Sequence, residues 1–261
     1  MAEMQIELAL LGNGSIKVNG HPVLIRMARL PMPWQVFCLL STRVDRWMRM
    51  DALAAELWPD APKESTRNSL KNAVLRLRAE LNQCSETLGH PAEWIEYLND
   101  GYRINPLVDI RADYLVCQQL CLDMRTARNR LLGERLSLGR QLLQRYTGSF
   151  FHNPKYQDWT KQFAWHLDTF YSENICECME ELLAREMHQE ALDMYEGVQQ
   201  NHQPCDEMMV YRYRALQSLG KRSRICQEYP ATKASFSRRG ELDGPAFAEI
   251  RDIALLAGVK G

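Results

Sequence analysis

Three things are scarce in this chain of 261 residues, and each scarcity excludes something. Charge imbalance is the first. Its 32 basic and 33 acidic side chains leave a formal net charge of −1, so no global positive field advertises a polyanionic partner. Any contact with nucleic acid must come from a local patch. Long apolar runs are the second scarcity. The N-terminus, MAEMQIELALLGNG, has no basic region, and the apolar run 6–11 is too short for a leader core or a membrane span. A cytoplasmic location and no membrane partner are expected. Clustered reactive side chains are the third. Among the eight cysteines, Cys117 and Cys121 stand four apart and Cys176 and Cys178 two apart, each inside a helical pattern. No zinc-like pair of pairs results, so reduced thiols, no metal and no cofactor are expected. The six histidines (21, 90, 152, 166, 188 and 202) are scattered, and Gly12-Asn13-Gly14 lacks the lysine and the following helix of a phosphate loop. No catalytic residue can be named, and an enzyme is not expected.

What is present is ordinary globular material, 46% hydrophobic and 25% charged, in a length that favours two domains. Residues 4–26 alternate and break at GNG and NGH, which predicts a small antiparallel sheet from IELALL, SIKV and PVLI. From Pro33 the period becomes helical. PWQVFCLLSTRV aligns Val36, Leu39, Leu40 and Val44, and MDALAAELWPDA is a second short helix that stops at Pro59.

The third helix, STRNSLKNAVLRLRAEL (65–81), carries the functional expectation. Ser65 or Thr66 is expected to cap it. Leu70, Ala73, Val74, Leu77 and Leu81 form one apolar stripe. Turning that stripe inward points Asn68, Lys71, Asn72, Leu75 and Arg76 outward, with Arg67 and Arg78 flanking. The segment WIEYLNDGYRINP then reads as a hairpin around Asn99-Asp100-Gly101, with Tyr102 and Arg103 on its second strand. Residues 1–110 hold 12 Lys and Arg against 13 Asp and Glu, yet 67–78 alone is +4. A small sheet, three helices and a hairpin, with cations gathered on the third helix, is the plan of a winged helix. The third helix of such a domain enters the major groove of double-stranded DNA and the hairpin lies beside it. Asn68, Asn72 and Arg76 suit base edges; Arg67, Lys71, Arg78 and Arg103 suit phosphates; Leu75 suits a thymine methyl or a neighbouring loop.

Beyond residue 108 the pattern is helix after helix, and INPLVDIRAD reads as a short joint. Tyr195 of ALDMY and Tyr229 of ICQEY are 34 residues apart, and Leu182 and Leu216 keep the same offset. That is the period of tetratricopeptide helix pairs. The fold class expected is therefore an α+β winged-helix domain at 1–108 followed by an all-α, TPR-like domain at 109–261. Trp159, Phe163, Trp165, Phe170 and Tyr171 fall on more than one helical face and are assigned to core by default. Arg125, Arg128, Arg130, Arg135, Arg140 and Arg145 are assigned to a solvated face, with an anionic effector or a flank facing DNA as the alternatives.

The wording DALAAELWPDAPKESTRNSLKNAVLRLRAEL followed by GYRINP resembles the OmpR-type winged helix of the Streptomyces antibiotic regulatory proteins. Leu57-Trp58, Pro59, Pro62, Leu77-Arg78 and Gly101-Tyr102-Arg103 carry the likeness. DIRADYLVCQQL, YTGSFF, Trp159 and the 34-residue repeat are similar to the bacterial transcriptional activator domain that follows there. The resemblance implies a transcription activator that binds repeats in promoter DNA, often as a dimer, and contacts RNA polymerase. It leaves a homodimer and an unidentified small-molecule effector open as partners. No phosphoacceptor receiver or nucleotide-binding domain is expected, hence no phosphorylation control of the OmpR kind. A helical-repeat adaptor without DNA binding is the alternative.

Overall fold

In the computed structural model, which describes residues 4–24, 30–85, 93–127, 132–151 and 158–259, the N-terminal alternation forms strands β1 (Met4–Ala9), β2 (Ser15–Val18) and β3 (His21–Pro22). Ile6, Leu8, Ile16 and Val18 alternate onto one buried face, as a period of two requires. Only the start of PVLI pairs: Leu24 is exposed, and Ile25 lies outside the described residues. INPLVDIRAD is not a joint. Its Val108–Ala112 stretch is a strand, β7, parallel to β1 in the order β3-β2-β1-β7, with Ile6 opposite Ile110 and Leu8 opposite Ala112. A parallel partner a hundred residues away leaves no local turn signal.

Helices α1 (Met32–Ser41), α2 (Met50–Leu57) and α3 (Lys63–Ser85) follow, with a second sheet of β4 (Met48–Arg49), β5 (Ile95–Leu98) and β6 (Gly101–Ile104) in the order β4-β6-β5. Pro33 sits in the first turn of α1, where its missing N–H costs nothing. The expected cap of α3 is corrected: the helix begins two residues before Ser65. The Ser65 hydroxyl donates to the Pro62 carbonyl, and Thr66 is buried. Thr66, Leu70, Ala73, Val74, Leu77 and Leu81 then make a continuous buried stripe, packed with α1 and α2 around Trp34, Phe37, Leu53 and Leu57. Trp34 donates its indole N–H to Glu80, the residue before the last of that stripe. The hairpin turns on Asn99 and Asp100, both left-handed at φ 49° and 60°, a conformation these residues tolerate and a type I′ turn demands. Gly101 is required by proximity: a Cβ there would stand 3.0 Å from the Met48 carbonyl oxygen.

The chain divides into two compact units, Met1–Gln118 with Gly148–Leu167, and Gln119–Thr147 with Asp168–Gly261. The composition shift at residue 108 thus falls within the first unit. Segment 148–167 joins that unit through backbone and rings. Phe150 bridges to Leu11, Phe151 N–H donates to Leu10, and Tyr114, Phe150, Trp159 and Phe163 pack edge to face at centroid distances of 4.9–6.1 Å. Asp113 completes the junction by accepting the Leu10 and Leu11 N–H groups at 2.7 and 3.1 Å. Of the aromatics assigned to core, Trp159 and Tyr171 are buried, whereas Trp165 is 70% exposed.

The helices from residue 113 onward are α4 (Asp113–Thr126), α5 (Leu132–Arg145), α6 (Asp158–Ala184), α7 (His188–Asn201), α8 (Asp206–Ser218), α9 (Arg222–Arg239) and α10 (Pro245–Leu256). The 34-residue offset extends to the backbone. Helix α6 ends at 184 and α8 at 218; α7 starts at 188 and α9 at 222. Glu186 and Gly220 both turn left-handed, and Met187 donates to the Leu182 carbonyl as Lys221 does to Leu216. These are two copies of one Schellman ending, with Leu182 and Leu216 fully buried beneath them. Segment 222–239, not assigned from periodicity, is helical through Pro230.

The arginine-rich segment is not one solvated face. Arg135 is buried and bridges Glu177 and Glu181 at 2.7 and 3.0 Å, and Arg125 lies over the Phe170 ring; Arg140 and Arg145 are exposed. A planar guanidinium serves two carboxylates at once, which is why the fold can take this one inside. Arg128, Arg130, His90 and His152 lie outside the described residues.

Candidate nucleic-acid interface

Five of the nine residues named from the sequence share one face of α3. Asn68, Lys71, Asn72, Leu75 and Arg76 are all exposed, at spacings i, i+3, i+4, i+7 and i+8, on the side away from the buried stripe. Leu75 is 67% exposed, an apolar side chain left in water on an otherwise polar surface. This face offers two amides, two cations and a methyl-bearing contact over two helical turns.

The other four are held by contacts within the chain. Arg67 donates to Asp51 at 2.6 Å and, through one nitrogen, to both oxygens of Asp100 at 2.6 and 2.7 Å. The hydrogen bonds from Arg67 hold the Asp100 carboxyl below the usual carboxylate range, and Asp100 in turn raises the guanidinium. Arg78 donates to the Ile95 carbonyl at 2.6 Å; a guanidinium has five N–H donors, so others remain. Arg103 pairs with Glu96 at 2.6 Å and lies 4.5 Å over the Trp47 ring. Tyr102 is 5% exposed, packs 5.0 Å from Tyr97, and burial pushes its phenol up. Arg67 and Arg78 thereby fasten the hairpin to α3, one at the turn and one on β5.

Asp51, Asp100, Glu96 and Trp47 complete this platform, and sequence reasoning missed all four. Nothing in their spacing marks them, because each partner is brought in by folding. Arg49, the exposed last residue of β4, was also missed; it stands near enough to Asp100 to help hold that carboxyl down.

No protein-family model matches the chain, and no curated protein does. Among solved structures, the chain is similar to EmbR of Mycobacterium tuberculosis in complex with a low-affinity phosphopeptide. The TM-score is 0.66 at 17% identity, over 98% of this chain and 65% of that one. Among the described residues no helix is long and apolar enough to cross a membrane. The likeness to EmbR shows the fold, a small-sheet N-terminal region leading into a mostly helical body.

Proposed function

We propose that this protein is a sequence-specific, DNA-binding transcription regulator of the kind its sequence resembles, with α3 as the reading helix and the 95–104 hairpin as its wing. The observation that carries the reading is the exposed face of Asn68, Lys71, Asn72, Leu75 and Arg76 opposite a fully buried stripe. A major groove about 12 Å wide accepts one such helix, and amides and guanidinium forks match base edges there. Lys71 serves as a phosphate contact and Asn72 and Arg76 as readers. Arg67, Arg78 and Arg103 act first by holding the wing, and Arg49 adds a cation beside it. Residues 1–108 constitute the DNA-binding domain in functional terms and 109–261 the helical domain for polymerase, dimer or effector contacts.

The test is selection of bound fragments from a random duplex library at two salt concentrations. A recovered repeat with half-sites about 10–11 base pairs apart, or a multiple, supports a regulator bound in more than one copy. Absence of enrichment at low salt favours the adaptor reading, in which the helical repeats alone make the contacts.

A further inference from the structure

Cysteine spacing along the chain shows no metal motif, yet folding brings three ligand-type side chains of the second unit together. Cys176 lies on α6, Cys205 immediately precedes α8, and Glu207 is in the first turn of α8. Their ligand atoms all lie within 4.8 Å of one another, and Cys176 Sγ is 3.4 Å from Cys205 Sγ. Among the described residues this is the one such group of three.

The distances separate two chemistries. A disulfide needs its sulfurs about 2.05 Å apart. Tetrahedral zinc, with bonds of about 2.3 Å to sulfur, sets neighbouring sulfurs about 3.8 Å apart. The observed pair is a contact of two reduced thiols, one donating to the other, and its 3.4 Å already approaches the spacing that tetrahedral zinc sets. Glu207 adds a third ligand type, a carboxylate oxygen, to the two sulfurs. The helix dipole welcomes an acid in this turn, and the fold sets its carboxylate within 4.8 Å of both sulfurs. Cys205 and Glu207 also line an open groove of about 860 Å³ with Tyr211, Arg214 and Arg239. A metal here would take water or a groove-bound group as its fourth ligand, the pattern of open zinc sites.

We propose that Cys176, Cys205 and Glu207 bind one zinc-type divalent ion, which ties α6 to the start of α8 across neighbouring helix pairs. The ion binds the folded arrangement and not the unfolded chain, so it stabilises the second unit.

The experiment is titration of the reduced full-length protein with cobalt(II), then zinc, under a metal-free reductant. Expected are a thiolate-to-cobalt charge-transfer band and tetrahedral visible bands that saturate at one ion per chain and vanish on adding zinc. Zinc should also raise the melting temperature. Cys176→Ser and Cys205→Ser should each lose most of the charge-transfer intensity. Glu207→Gln, at an exposed position that does not threaten folding, should keep the band and weaken zinc binding about tenfold or more. No band in the reduced wild-type protein overturns the proposal. So does a band undiminished in the double serine variant, which would place the ion on other cysteines. Ready loss of two thiols to peroxide with no metal uptake would instead identify a redox pair.

Discussion

Arg67 on the third helix and Asp100 at the tip of the hairpin share two hydrogen bonds, 2.6 and 2.7 Å long, across 33 residues of chain. Asp51 at the start of α2 accepts from the same guanidinium. One side chain thus fastens α3 to the hairpin turn and to the start of α2, and under the proposed function it positions the reading helix against its wing. Arg67→Ala and Asp100→Ala should therefore weaken duplex binding to a similar degree, and the double variant should bind no worse than either single one. A double-mutant cycle on DNA affinity checks this; additive losses would mean that Arg67 contacts DNA directly.

Arg76 and Lys71 share the exposed face of α3 but differ in expected role. Arg76→Ala should cost about 1–3 kcal/mol of binding and blunt sequence preference. Lys71→Ala should weaken all sequences alike and reduce the salt slope by about 1. Binding isotherms on matched and mismatched duplexes at several salt concentrations separate the two effects.

Leu75 and Leu77 are neighbours with opposite surroundings, 67% and 0% exposed. Leu77→Ala should cost about 2–5 kcal/mol of folding stability, since it opens a cavity between α3 and the helices packed on it. Leu75→Ser should leave stability within about 0.5 kcal/mol and act on DNA selection alone. Denaturant unfolding of both variants, beside the library selection, is the check. Equal destabilisation would show that the helix is turned differently.

His202 gives the second unit a pH dependence. Its ring meets Tyr146 and Tyr171 edge-on at 5.5 and 5.4 Å, and Nδ1 is 3.5 Å from the Tyr146 hydroxyl, which donates to Asp168. Burial lowers its pKa below the ordinary value of 6.5, and Asp168 opposes this only in part. The unfolded chain therefore takes up the proton first. The stabilising contribution is complete above about 6.5 and is lost as the pH falls through the lower folded value. Melting temperature should drop on acidification through this window, and His202→Gln should flatten the drop.

Much of the candidate site was legible because its signals are local. The stripe of Leu70, Val74 and Leu77 follows from helical geometry, so the opposite face could be named residue by residue. The Asn-Asp-Gly turn specifies its own hairpin. The start of α3 was misplaced because Ser65 and Thr66 suit a cap chemically, while Pro62 and the burial of Thr66 set the helix earlier. The intramolecular partners of Arg67, Arg78 and Arg103 were not legible for another reason. A cation in a sequence window carries no mark of the carboxylate or carbonyl that folding will set against it.

The sequence by itself determined the alternation of β1 and β2, the three N-terminal helices, the hairpin and the 34-residue period of the helical half. All of these are contacts between residues within a turn or two, or repeats of such contacts. Tertiary structure alone decided that Val108–Ala112 lies beside β1, that Phe150 packs with Tyr114, that Arg67 bonds Asp100, and that Cys176 meets Cys205. Each of these pairs is distant along the chain, and its closure depends on how whole elements pack together and bury their apolar faces, which no window of sequence contains.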